Sequence, residues 1–221
     1  MTTISPPNVE RTPTLAARAY AALRDRLVTL QIRPGEPIDD DLIAEDLGVG
    51  RTPVREALKR LEDDRLVVAY PRRGTFATTV DITDLTHLNE VRLQLEPQAA
   101  RRAAERATAD ERNGMSDLVS RVVALEGLAV DRIELMRLDL AVHRAIYHAA
   151  GNPHLEDVLV RCHALATRIF CLLLDRLPNV ATHVNEHAAL LEAIISGDAE
   201  AAATLAREHV TGFERGVRAV I

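Results

Sequence analysis

The chain has 221 residues, of which 47% are hydrophobic and only 3% aromatic, and it carries a formal net charge of −6. That length and apolar content can bury a substantial core in one large or two modest domains, and the shortage of aromatics makes the core mainly aliphatic. No run approaches the roughly 18 uncharged apolar residues of a membrane span, and residues 1–13 lack a signal peptide's hydrophobic stretch, so a membrane protein is excluded and a cytoplasmic one expected.

Residues 1–12, with Pro6, Pro7 and many small polar side chains, read as a disordered arm. A helix is expected from about Leu15 to Leu30, followed by the turn Arg33-Pro34-Gly35-Glu36. The segment from Leu42 to Leu61, LIAEDLGVGRTPVREALKRL, then holds two short helical patterns hinged at Gly48. Leu42, Ile43, Leu47 and Val49 fall where a short helix and its turn bury side chains, while Val54, Ala57, Leu58 and Leu61 recur at intervals of three and four. Asp39, Asp40 and Asp41 suit the start of the first helix, where carboxylates accept orphan backbone N–H groups. Gly48 gives the backbone freedom needed after that helix, and Pro53 suits the first turn of the next.

This arrangement is a helix-turn-helix, and it leaves Arg51, Thr52, Arg55 and Lys59 on or near the outer face and N-terminal end of the second helix. Arginine suits bidentate contact with guanine, and threonine bonds phosphate or base. Leu66–Ala69 and Thr75–Thr79 read as two short strands around the basic tip Tyr70-Pro71-Arg72-Arg73-Gly74, which makes a wing able to enter an adjacent groove. The acidic total does not oppose this reading. Residues 1–78 balance twelve basic against twelve acidic side chains, and Arg51–Arg73 alone holds seven basic to four acidic. A local basic footprint is what phosphate contact requires.

The run Leu47-Gly48-Val49-Gly50-Arg51-Thr52-Pro53-Val54-Arg55-Glu56-Ala57-Leu58, followed by Arg73-Gly74-Thr75-Phe76, resembles the DNA-binding domain of the GntR family of bacterial regulators over roughly residues 12–79. The resemblance implies that Arg51, Thr52 and Arg55 read the major groove and that Gly74 with Arg73 approaches the minor groove. Two positions depart from the family pattern. Gly50 stands where a Ser or Thr cap is usual, and Arg65 stands where a glycine commonly ends the recognition helix, so Arg65 must tolerate a left-handed backbone or remain helical.

Around Thr79–Thr83 the pattern returns from strand to helix, which sets domains at 13–79 and 80–221. Six helices are expected in the second, at about 82–107, 109–126, 131–150, 153–176, 180–196 and 198–219, with breaks at Asp110, Gly127, Gly151-Asn152-Pro153, Pro178 and Gly197-Asp198. The fold class is therefore mainly α: a winged helix-turn-helix of three helices and a two-stranded wing, then an all-helical bundle. Pro97 should bend the first bundle helix. Cys162 and Cys171, about 13 Å apart along one helix, are too distant for a mutual disulfide and read as core thiols.

Asp139 and His143 stand at i and i+4, on one helix face, where both can grip one ion. His187 and His209 lie in two later helices, and one carboxylate with three imidazoles would make a metal site open to water or a ligand carboxylate. Spacing leaves open the alternative that each histidine is separate. His183, four residues before His187, is the main rival ligand, in the first turn of its helix. His87, His148, His154 and His163 have no partner at useful spacing and read as structural or exposed.

Asp139-x-x-x-His143, Gly151-Asn152, Glu186-His187 ahead of Ala193-Ile194, Gly197-Asp198 and His209 resemble the FCD effector domain of the FadR subfamily over roughly residues 82–215. The resemblance implies that Asp139, His143, His187 and His209 hold a divalent metal, zinc first, with nickel or manganese as alternatives, and that the metal helps bind a small organic acid. Six helices rather than seven suggest the VanR-like branch. Arg92 is the candidate partner of the effector carboxylate, against the alternative of a surface salt bridge.

The expected function is a homodimeric, ligand-responsive transcription factor, a repressor released from a palindromic DNA operator by a small carboxylate. A metal-dependent hydrolase or lyase fused to a DNA-binding head is the competing reading. No general base stands out beside the four ligands, and Glu186, adjoining His187, is expected to point to a different face.

Overall fold

The computed structural model describes residues 13–125, 131–177 and 180–221. The expected N-terminal arm and the breaks at Gly127 and Pro178 lie outside these residues. The chain divides into two compact units, one of residues up to 25 with 35–78, the other of 26–34 with 79–221.

The first unit begins with α1 (Leu15–Val28), whose first turn is capped by Thr14 Oγ1 accepting from the Ala17 N–H at 3.1 Å. It continues through β1 (Pro37–Ile38), α2 (Asp40–Leu47), α3 (Arg51–Asp63), β2 (Val67–Tyr70) and β3 (Gly74–Ala77). Asp39 caps α2 by accepting from the N–H groups of Asp41 at 2.8 Å and Leu42 at 3.2 Å. Gly48 ends that helix in the left-handed region, at φ 62° and ψ 38°, where its missing side chain avoids strain. Helix α3 buries Val54, Ala57, Leu58 and Leu61 on one stripe. Leu42, expected to be buried, is 64% exposed, and Ala44 takes the inward position of that turn.

Gly50 caps α3 without a side-chain bond, and Arg65 adopts φ 62° just past its end. The left-handed residue closes the helix as a glycine would, since the N–H of Leu66 reaches the Leu61 carbonyl at 2.9 Å. Tyr20 Oη donates to Asp64 Oδ2 at 2.6 Å and Arg60 lies 4.0 Å over the Tyr20 ring, which fastens α1 to the end of α3.

The wing differs from expectation in having a third strand. The sheet runs β1-β3-β2, wholly antiparallel, with Pro37 opposite Phe76 and Val67 opposite Ala77. Two residues are too few to show an alternating pattern, so β1 is invisible to periodicity. At the tip, the Arg73 N–H bonds the Tyr70 carbonyl at 3.0 Å across Pro71 and Arg72. Arg72 has φ 63°, so the turn is type II with an arginine where glycine is preferred.

The second unit contains α4 (Asp84–Arg106), α5 (Ala109–Ala124), α6 (Arg132–Ala149), α7 (Pro153–Leu173), α8 (Val180–Ser196) and α9 (Ala199–Arg218), six helices among the described residues. Helix α4 is central, packing on α6, α7, α8 and most extensively on α9. Its Ala99, Ala100, Ala103 and Ala104 are all at most 2% exposed, and these small side chains allow close approach. The helix continues through Pro97 to Arg106. Thr108 starts α5 with a reciprocal capping box to Glu111, so the break precedes Asp110 by two residues. Asn152 caps α7 ahead of Pro153, and Asp198 caps α9. Neither cysteine is in a disulfide and both are partly buried, and burial pushes the Cys171 thiol up to about 12, which keeps it an unreactive thiol.

Candidate DNA-reading surface and candidate metal centre

In the first unit Arg51, Thr52, Arg55 and Lys59 are exposed along one side of α3, and Arg73 and Gly74 are exposed at the wing. Arg51 and Arg55 are not loose. Arg55 Nε donates to Asp40 Oδ2 at 3.0 Å, and Arg51 Nε pairs with Asp41 Oδ1. Both acids sit in the first turn of α2, where the helix dipole favours them. Each pair engages the Nε edge of its guanidinium, leaving the two terminal amino groups for a bidentate contact with a base. Composition marked these aspartates as caps only, and their second role as arginine partners went unread.

In the second unit the structure gathers Asp139 and His143 from α6, His187 from α8 and His209 from α9, each at most 4% exposed. One donor atom from each lies within 4.8 Å of the other three. His143 Nε2 stands 3.1 Å from His187 Nε2 and 3.3 Å from His209 Nε2. Asp139 Oδ1 stands 3.6 Å from His187 Nε2 and 3.9 Å from His143 Nε2.

The outer nitrogens explain this convergence. His187 Nδ1 donates to the Val184 carbonyl at 3.0 Å, and His209 Nδ1 donates to Glu186 Oε2 at 3.0 Å. His143 Nδ1 lies 3.0 Å from Tyr147 Oη, which also bonds Glu96. With protons on Nδ1, all three rings aim Nε2 lone pairs at one another, an arrangement that a cation relieves. Burial pushes His187 down to about 4 and, with neighbouring histidines and Arg92 adding to the effect, holds His143 and His209 well below the ordinary imidazole range. Neutral imidazoles are the form that binds metal. Burial acts to raise the Asp139 carboxyl, yet the imidazoles of His163, His187 and His183 together hold it below the usual range. Asp139 Oδ1 is buried with no hydrogen-bond partner among the described residues. An orphaned carboxylate oxygen facing three neutral imidazoles fits a divalent cation.

Arg92 is not a surface residue. It is 1% exposed, its Nε donates to Glu96 Oε1 at 2.6 Å, and its Nη1 and Nη2 reach Asn89 Oδ1 at 3.3 Å and His163 Nδ1 at 3.4 Å. An effector carboxylate taking this guanidinium bidentately must first displace Asn89 and His163. His183 stacks on His209, with centroids 4.1 Å apart and planes 15° from parallel, but belongs to a separate donor set with Glu186 and His209.

Two partners escaped the sequence reading. His163 is 5% exposed, with Nε2 at 3.0 Å from Asp139 Oδ2 and its ring 3.9 Å from that of His143. Glu96 joins Arg92, Tyr147 and His143. The available signal was the polar stripe Asn89, Arg92, Glu96 on the alanine-rich inner face of α4. Glu186 is exposed where its neighbour His187 is buried, yet it still meets the cluster, at His209 across the interface with α9. His87, His148 and His154 are exposed.

A winged helix-turn-helix followed in one chain by a helical unit with a buried donor cluster defines the class of DNA-binding regulators with a separate sensing domain. Residues 15–77 match the bacterial regulatory proteins of the gntR family, and residues 87–212 match the FCD domain. A transcriptional regulator in the TAR-I ttuE-ttuC' intergenic region of Agrobacterium vitis is 35% identical over 148 residues, 66% of this chain and 79% of that protein. The transcriptional repressor RspR of Escherichia coli is 23% identical over 91% of this chain and 88% of its own. The fold is shared with McbR/YncC of E. coli, at a TM-score of 0.80, 21% identity, and coverage of 94% and 99% of the two chains. The chain belongs to the GntR family of transcriptional regulators, in its FCD-bearing branch. Its relatives are named as transcriptional regulators, which does not favour the hydrolase or lyase reading. No helix among the described residues is long and apolar enough to cross a membrane.

Proposed function

We propose that this DNA-binding regulator is a cytoplasmic homodimeric repressor whose heads, residues 13–79, occupy a palindromic operator, and whose helical domain, residues 80–221, releases them when a small organic acid binds. Arg51, Thr52, Arg55 and Lys59 contact the major groove, and Arg73 and Gly74 the minor groove. Asp139, His143, His187 and His209 hold a divalent ion, zinc first on their nitrogen-rich donor set, with nickel or manganese as alternatives. Bound there, such an ion supplies a Lewis-acidic position for one carboxylate oxygen of the effector. Arg92 lies beside this position, and the six-helix bundle favours the VanR-like branch.

The observation that carries the reading is the convergence of four buried donors, one carboxylate and three imidazoles, with the outer nitrogens of His187 and His209 already committed to acceptors. Operator occupancy responds because a coupling of a few kcal/mol between the two sites is enough to change it strongly. Elemental analysis of the purified protein and of His143→Ala tests the metal centre. About one divalent ion per chain, lost in the variant together with effector-dependent operator release, is the expected result. A protein that neither contains nor takes up metal, with His143→Ala behaving as the parent, removes this reading.

A further inference from the structure

We propose that a cavity of about 590 Å³, formed by the end of α7, the start of α8 and the second half of α9, binds the apolar body of an aromatic carboxylate, with its acid group held by Arg176 and Arg215. This rests on reading the helical domain as the effector-binding part, and it is a second ligand position, apart from the one at the metal, since the lining holds none of Asp139, His143, His187 and His209. Phe170, Phe213, Leu177 and Val180 line the cavity and are each at most 7% exposed. Phe170 and Phe213 stack with centroids 5.0 Å apart, giving a flat apolar wall suited to a planar ring. An apolar lining with a few placed polar groups, at this volume, is what small-molecule sites share.

The charge of the occupant follows from the lining. Arg176 and Arg215 border the cavity, and neither side chain makes a hydrogen bond or ion pair to a described residue, in contrast to the fully engaged Arg92. The one acid in the lining, Glu186, has its Oε2 engaged, 3.0 Å from His209 Nδ1 and 3.5 Å from His183 Nδ1. The two arginines therefore set the sign of the ligand, and Glu186 disfavours an acid group placed at the His183 end. That fixes the orientation: ring toward His183, Phe170 and Phe213, carboxylate toward the arginines.

The same wall provides the link to the buried donors. His183 lines the cavity and stacks on His209, and Glu186 lines it while accepting from His209. A ligand that shifts either residue alters how His209 is oriented, without itself touching Asp139, His143 or His187.

Calorimetry on the full-length protein, after incubation with zinc, tests this with phenylacetate, its neutral isostere phenylacetamide, and acetate. Phenylacetate is expected to bind at least about tenfold more tightly than either, and Arg176→Gln/Arg215→Gln, both exposed positions, to weaken it about tenfold or more, as loss of a charge-assisted contact implies. Metal content measured on the same samples is expected to be equal in parent and variant. Equal affinity for phenylacetamide, or phenylacetate affinity unchanged in the double variant, overturns the proposal. The two readings fail separately: arginine-dependent binding to a protein that takes up no metal leaves the cavity standing and removes the metal centre, whereas full metal loading with arginine-independent binding does the reverse.

Discussion

Arg65 shows what one residue can cost a fold that otherwise obeys its local rules. It closes α3 from the left-handed region, where a side chain is disfavoured by about 1–2 kcal/mol. Arg65→Gly removes that strain and adds back some chain entropy in the unfolded state, so a net gain of a few tenths to about 1 kcal/mol is expected from denaturant melts. A loss of stability would show that the arginine side chain contributes more than its backbone costs. The departure from glycine was legible in the sequence, but which of two conformations resolved it was not, because φ depends on whether Leu66 can reach back to Leu61. Asp40 and Asp41 pose a similar problem at the reading surface. Arg51→Ala or Arg55→Ala should weaken specific operator binding by about 1–3 kcal/mol. Asp40→Asn should instead raise affinity for unrelated DNA while narrowing the ratio between operator and unrelated duplex, because it removes a negative charge and frees Arg55 to wander. Anisotropy titrations on both duplexes separate these outcomes, and an unchanged ratio would make Asp40 a helix cap alone.

Among the elements, α5 packs on α8 and α6 through buried Met115 and Val122, and one further side chain ties it to two helix ends. Arg112 donates to the carbonyls of Ala104 at 2.7 Å and Ala107 at 3.1 Å, at the end of α4, and to those of Ile194 and Ile195, at the end of α8, at 2.5 and 2.6 Å. These are the orphan acceptors that every helix leaves in its last turn, and the cation also meets the negative end of two dipoles. Arg112→Ala should cost about 2–4 kcal/mol, judged from charged hydrogen bonds at about 1.5–3 kcal/mol each and partial replacement by water. Arg101→Ala, which breaks an exposed, solvent-screened pair with Glu200, should leave the same melts nearly unchanged. Helix positions in this domain were readable from caps and breaks, since Asn152, Gly197 and Asp198 act locally. The inner polar stripe of α4 was written in the sequence too, yet its partners come from α6 and α7, and contacts between helices leave no periodic trace.

For the whole molecule, the same limit governs the donor cluster. Asp139 and His143 share one turn of α6 and are legible as a pair, whereas His187 and His209 join them only by tertiary packing, and family resemblance rather than spacing selected them. His163 stayed hidden because α7 brings it from a distance with no motif of its own. The proposed dimer, with a DNA-binding head on each chain, predicts strong dependence on both halves of a palindromic operator. Affinity for a duplex carrying a single half-site should be weaker by about 100-fold or more, the usual gain from linking two binding events. Equal affinity for half and full sites would mean that each head acts alone.

The short strand β1 carries a consequence for two such heads held side by side on DNA. A sheet with an open edge invites a second copy to add its own strand, and crowding on an operator raises that risk. Here the edge is two residues long and one of them is Pro37, which has no N–H to offer. The sheet is thereby finished on that side, and neighbouring heads can approach that edge without exchanging strands across it.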